Sequence, residues 1–171
     1  MKAYTKGFTL IELLVVICII AILAGMIMPL YSNFLKKAKV VKALAGAKGL
    51  ETAFKSYLDM YKFWPTAWAD GEIKDDIFKT LRGDNPQGIA FYEFANYTNH
   101  PGMDQTTAWD PWSIPDDPIR GPWRAYRVMF DKNYDNKIDA LPNVYRSVVV
   151  YSVGANSQDE QGDGDDDTSW K

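Results

Sequence analysis

Lys6-Gly7-Phe8-Thr9-Leu10-Ile11-Glu12-Leu13-Leu14-Val15-Val16 is the stretch whose reading decides the fold. From Leu13 to Leu35 it continues for 23 residues without a charge. As a helix that run reaches about 34 Å, enough to cross a bilayer core. Met1 to Gly7 precedes it as a short basic segment carrying Lys2 and Lys6. Glu12 is the discordant residue. A carboxylate one turn into a membrane helix costs on the order of 2–3 kcal/mol, so it needs a partner. A secretory signal removed near Ala24-Gly25, or a plain membrane anchor, supplies none.

Past Leu35 the apolar residues form a helical stripe, Val41, Leu44, Ala47, Leu50, Phe54, Leu58 and Tyr61, with lysines and Glu51 on the other face. Gly46 and Gly49 weaken it by up to about 1 kcal/mol each. The pattern predicts one long helix from about Thr9 to Lys62, bent near Pro29. It ends at Phe63-Trp64-Pro65, because proline disfavours helix in its predecessor. Residues 64 to 122 hold most of the prolines and turn signals such as Asn85-Pro86 and Asp110-Pro111. Short helices are predicted at Lys74 to Arg82 and Ile89 to Asn96, and strands at Trp123 to Phe130 and Val144 to Val153. The fold class is α+β: a long N-terminal helix, half membrane-spanning and half amphipathic, packed on a small antiparallel sheet with a loop-rich C-terminus. Its parts are a leader at 1–7, an apolar helix at 8–35 and a globular domain at 36–171.

Composition narrows the function. The formal charge is -3, and removing Lys2 and Lys6 leaves 17 basic against 22 acidic residues, which argues against a basic nucleic-acid binder. The one cysteine, Cys18, lies in the apolar run, so no intrachain disulfide is possible. The sole histidine, His100, has no nucleophile or metal spacing around it, and no phosphate-cradling loop or triad motif is present. The chain does not read as an enzyme. Trp64, Trp68, Trp109, Trp112 and Trp123 suit core or interface packing better than a sugar-binding platform.

Two segments have metal-binding chemistry. Asp131, Asn133, Asp135 and Asp139, with a backbone carbonyl at Lys137, follow the order of an EF-hand-type calcium loop. Asn136 replaces the usual glycine and Pro142 the bidentate glutamate, so a solvated turn with Asp135-Asn136 at its tip is the alternative. The tail places six acids within the nine residues from Asp159 to Asp167. Mutual repulsion favours a disordered acidic tail. Trp170 argues for packing instead.

Lys6-Gly7-Phe8-Thr9-Leu10-Ile11-Glu12 closely resembles the leader-cleavage signal of type IV pilins and type II secretion pseudopilins. The resemblance implies that a prepilin peptidase cuts after Gly7 and that the new N-terminal Phe8 is methylated. It also makes Glu12 the partner of the Phe8 amine on a neighbouring subunit, setting filament register, and places a helix-distorting proline at Pro29. Trp64-Pro65 is a near match to the family's Tyr-Pro. Tyr151 to Asn156 and the Asp-rich stretch ending in Trp170 resemble the calcium loop of major pseudopilins. Asn156 stands in place of the first aspartate, and Asp166 and Asp167 stand near the later pair. The implied protein is a single-pass inner-membrane subunit with a periplasmic domain, assembled with copies of itself, an assembly platform and minor pseudopilins into a secretion pseudopilus. Its expected partners are lipid before assembly and no nucleic acid. The alternative is a surface type IV pilin for adhesion, motility or DNA uptake.

Overall fold

The computed structural model describes residues 8–94, 105–113 and 124–170, apart from the side chains of 27–30 and 32. Gly7, His100 and Trp123 lie outside the described residues, as does the side chain of Pro29, the expected bend. The chain divides into two compact units, Met1–Ala38 and Lys39–Lys171.

Helix α1 runs Leu10–Tyr61. Lys62 ends it in the left-handed region (φ 67), its N–H reaching back to the Leu58 carbonyl at 2.8 Å. A single such bond is a common way to satisfy a last-turn carbonyl. In the second unit the α1 face formed by Ala43, Ala47, Leu50, Phe54 and Tyr57 is buried. Helix α2, Asp75–Arg82, has Asp75 and Asp76 in its first turn and Lys79 and Arg82 in its last, both favourable to the helix dipole. It buries Ile77, Phe78 and Leu81.

No helix forms over the described part of the predicted Ile89–Asn96 element. The Asn85 carboxamide donates to the carbonyls of Thr80 and Ile89 and accepts from the Ile89 N–H. The N–H groups of Phe91 and Tyr92 both go to the Leu81 carbonyl. These bonds satisfy the backbone in an open loop, so the helical alternative gains nothing.

The sheet is antiparallel throughout, in the order β1-β2-β3-β4. Its strands are β1 (Gly71–Glu72), β2 (Arg127–Phe130), β3 (Val148–Ser152) and β4 (Asp167–Thr168). β2 and β3 are shorter than predicted. The Ile138 N–H donates to the Val144 carbonyl, Val144 to Leu141 and Leu141 to Ile138, which holds the start of the second run out of the ladder. Because strand side chains alternate between faces, each of these strands serves two cores. Val128, Phe130, Val148 and Val150 join α1, α2 and Trp64 and Trp68 in the larger core. Met129, Val149 and Tyr151 join Ile138 and Val153 on the other face, with Trp170 packed against them.

Gly46 shows how closely helix and sheet approach: a β-carbon there would lie 2.1 Å from the Tyr126 hydroxyl oxygen. That hydroxyl donates to the Ala43 carbonyl, so it cannot move away without breaking a buried bond. Gly46→Ala is therefore expected to cost about 1–3 kcal/mol through overpacking, despite the better helix propensity of alanine. Urea unfolding of the detergent-solubilised chain measures it, and an unchanged or higher midpoint would contradict the packing argument.

Candidate functional site

At the start of α1, Thr9 and Glu12 form a reciprocal cap. The Thr9 N–H and hydroxyl donate to Glu12 Oε2 at 2.8 and 2.7 Å, and the Glu12 N–H donates to Thr9 Oγ1 at 3.3 Å. This is a capping box, which satisfies two of the orphan donors at a helix start. Its Thr-x-x-Glu spacing at Thr9 and Glu12 is the sequence signature of such a cap. Glu12 thus has a partner within its own chain, through an arrangement that leaves Glu12 Oε1 for another donor. Phe8 is 73% exposed. Every described side chain from Leu10 to Met26 is exposed as well. Among the described residues no helix is long and apolar enough to cross a membrane.

The C-terminal segment folds into an ordered loop. Arg124, itself buried, donates through Nη1 to the Gly154 carbonyl and through Nη2 to the Ala155 carbonyl. Asp165 Oδ2 then accepts the N–H groups of Ala155 and Asn156 at 2.8 and 3.0 Å. Asp166 Oδ2 accepts those of Gly162 and Glu160 at 2.8 and 3.2 Å. Glu160 Oε2 accepts the Asp165 N–H at 3.1 Å. Each acid thus has an oxygen fixed by the backbone. The result brings one carboxylate oxygen each from Glu160, Asp165 and Asp166 within 4.8 Å of one another. Asp166 Oδ1 is buried and has no hydrogen-bond partner among the described residues. Buried acceptors are seldom left orphaned.

Of the residues singled out by sequence, Asp166 lies in this cluster. Asn156 borders it, its Nδ2 donating to Glu160 Oε2 at 3.4 Å. Asp167 turns to the other side, where its Oδ2 accepts the Trp112 indole N–H at 2.9 Å. Glu160 and Asp165 carried no signal that set them apart from the neighbouring acids; the backbone path chooses them. Asp159 is drawn off by Arg127 at 2.7 Å and by the Tyr151 hydroxyl at 3.0 Å.

The Asp131 loop is arranged differently. The two oxygens of Asp131 accept the N–H groups of Asp135 and Asn136. Asn133 Nδ2 donates to Asp135 and, at 3.4 Å, to Asp139. Asn136 takes the left-handed conformation (φ 63), which asparagine tolerates better than most residues. Trp64, Trp68 and Trp112 are buried, so they present no sugar-binding platform.

Electrostatics reflect this geometry. Burial pushes the carboxyls of Asp166 and Asp167 up, and like charges add to the effect (Asp159 and Glu160 on the first, Asp165 on the second). Asp110 is also raised by burial, although the Ser152 hydroxyl and the N–H groups of Ser113 and Trp112 oppose the shift. Glu51 goes the other way. Its desolvation is outweighed by hydrogen bonds from Lys55, Ser169 and Arg146, which hold it below the usual range.

Residues 2–28 match the family described as the prokaryotic N-terminal methylation motif. The chain is 40% identical over 65 residues to the type IV major pilin protein PilE of Neisseria gonorrhoeae, covering 38% of this chain and 39% of that one. It is 40% identical over 105 residues to a fimbrial protein of Neisseria meningitidis serogroup B, covering 58% and 62%. It is also 40% identical over 78 residues to the type IV major fimbrial protein FimA of Dichelobacter nodosus, covering 46% and 42%. The chain thus spans between 39% and 62% of the length of these relatives. No solved structure matches it.

The carboxyl shifts set a pH dependence with a definite sign. Asp166 and Asp167 bind protons more tightly folded than unfolded, so each destabilises the fold when ionised. In chelator, stability should rise as pH falls from neutral toward the ordinary carboxylate range near 3.8. Glu51 opposes this only at lower pH, because its contribution is lost as pH falls through a value below 4.5. Urea midpoints measured between neutral pH and about pH 5 test this, since that window lies above the usual acidic pKa values. A midpoint that falls steadily across it would contradict the placement of these acids.

Proposed function

We propose that this chain is the subunit of a surface type IV pilin-like filament, a reading supported by the methylation motif at residues 2–28 and by its similarity to type IV major pilins. The observation that carries this is α1, whose described side chains from Leu10 to Met26 are apolar almost without exception and all exposed. A helix that is apolar all round is covered by lipid or by other helices. Before assembly the cover is the inner membrane, with the second unit outside it. After a prepilin peptidase removes Met1 to Gly7, copies of α1 cover one another. A subunit that contacts a displaced copy of itself builds an open helix, not a closed ring. In that setting the methylated Phe8 amine pairs with Glu12 of a neighbour. A buried pair of this kind is better suited to fixing register than to adding stability.

A second reading, the major pseudopilin of a type II secretion system, is favoured by one observation: a carboxylate cluster stands in a tail that has no cysteine to close it. Glu160, Asp165 and Asp166 would hold a calcium ion there. The unpartnered Asp166 Oδ1 and the all-oxygen donor set fit a hard cation. A bound calcium ion would offset two of the three negative charges, and Asp165, which accepts the Ala155 N–H, would link that part of the loop to the site. Asn156 borders this set, and Asp167, Asp131, Asn133, Asp135 and Asp139 stand outside it.

A deletion strain separates the readings. Loss of surface filaments with intact exoprotein secretion supports the pilin; the reverse supports the pseudopilin. Glu12→Val should leave leader cleavage intact and abolish filaments, with N-methyl-Phe8 found at the mature terminus by intact mass. Normal filaments from that variant would remove the register role. Calcium at about 100 times its Kd is expected to raise Tm by roughly 5 °C or more. A Tm indifferent to chelator would dispose of the cation.

A further inference from the structure

Trp170 packs beside the carboxylate cluster, although its side chain offers no lone pair to a metal ion. Trp170 is donor-only, with a single indole N–H. The edge of its six-membered ring lies directly on Gly162. A β-carbon at Gly162 would fall 2.2 Å from Trp170 Cζ2 and 2.6 Å from Cη2. Gly162 has φ 91, a left-handed conformation that glycine adopts without strain. Its N–H is one of the two that hold Asp166 Oδ2, leaving the buried Oδ1 without a partner. The same indole packs edge-on against Tyr151, with centroids 6.0 Å apart at 81°. Tyr151 in turn donates its hydroxyl to Asp159 at 3.0 Å. Arg127 holds the other Asp159 oxygen. Trp170 therefore braces both sides of Glu160: Asp159, withdrawn toward Arg127, and Gly162, which aims Asp166.

We propose that Trp170 is a positioning residue for the cation loop, setting its affinity through Gly162 and Tyr151 without contacting the ion. The proposal rests on the cation reading above. Groups that orient ligands from behind typically govern affinity by about 10- to 100-fold. A residue that serves only the sheet's second core would change unfolding of the apo and loaded chains alike and leave affinity untouched.

The test is calorimetric titration of the chelator-stripped full chain in detergent with calcium chloride. Trp170→Ala should weaken binding by about tenfold or more. Trp170→Phe, which keeps an aromatic edge over Gly162, should recover most of that loss. Wild-type affinity in Trp170→Ala, or a phenylalanine variant no better than alanine, overturns the proposal. Should the alanine variant fail to fold, Trp170→Leu keeps apolar volume in the second core without the ring edge. A leucine variant that binds like wild type overturns the proposal just as directly. A wild-type chain that takes up no calcium overturns the cation reading, and this inference with it.

Discussion

Phe54 is the point on which the second unit depends. It is fully buried on α1 and meets three rings nearly edge-on: Trp68 at 5.8 Å, Phe130 at 5.4 Å and Trp64 at 6.4 Å. Those rings come from the turn after the helix and from β2. One side chain therefore joins the helix, its exit and the sheet, in the geometry aromatic quadrupoles prefer. Trp64 also donates its indole N–H to the Asp131 carbonyl at 3.0 Å, which ties the end of β2 to the same cluster. With one face of the sheet committed to Phe54 and its neighbours, the other is left to the C-terminal segment. The C-terminal segment covers that second face through Val153 and Trp170.

Glu51 makes the connection electrostatic as well. It projects from α1, is almost fully buried, and accepts from Lys55 and from Arg146 at 2.7 Å. Arg146 precedes β3, and Ser169 of the tail also hydrogen-bonds Glu51. Removing both Lys55 and Arg146 would leave a buried charge without a cationic partner, a loss of about 3–5 kcal/mol in comparable sites. The helix thus contacts the tail chemically although the sheet lies between most of their apolar surfaces.

Where the chain obeys periodicity, its fold was legible. The stripe expected from Val41 to Tyr61 is buried or half-buried from Leu44 onward, whereas Val41 is exposed and Glu51, expected on the other face, is buried. The helix at Lys74 to Arg82 and the valine run at 148–150 follow from spacing and residue type. What was not legible depends on contacts distant in sequence. Asn85 replaces a helix over 89–94 by taking its backbone bonds, and no local propensity reveals that. β1 and β4 are two residues each, too short for any alternation. In the tail, Trp170 did signal packing, but six interchangeable acids concealed which three converge. The choice falls to Arg127, which removes Asp159, and to Trp112, which removes Asp167.

The loop itself shows how a cluster of like charges is kept in one place. Two like charges about 4 Å apart repel by about 4 kcal/mol at an effective dielectric of 20, a penalty that three acids incur in every pair. Backbone amides answer part of it, since hydrogen bonds to charged acceptors are worth about 1.5–3 kcal/mol each. They cannot answer all of it, because their donors are spent on one oxygen per acid while Asp166 Oδ1 stays bare. The remainder can be met by a proton or by a cation. A proton neutralises one acid at a time and only below neutrality. A divalent cation would offset two of the three charges at once at neutral pH, using the oxygens the amides leave over. A chain whose sole cysteine lies on α1 has no covalent closure to substitute. The orientation of these carboxylates is therefore the part of the domain most sensitive to what surrounds it.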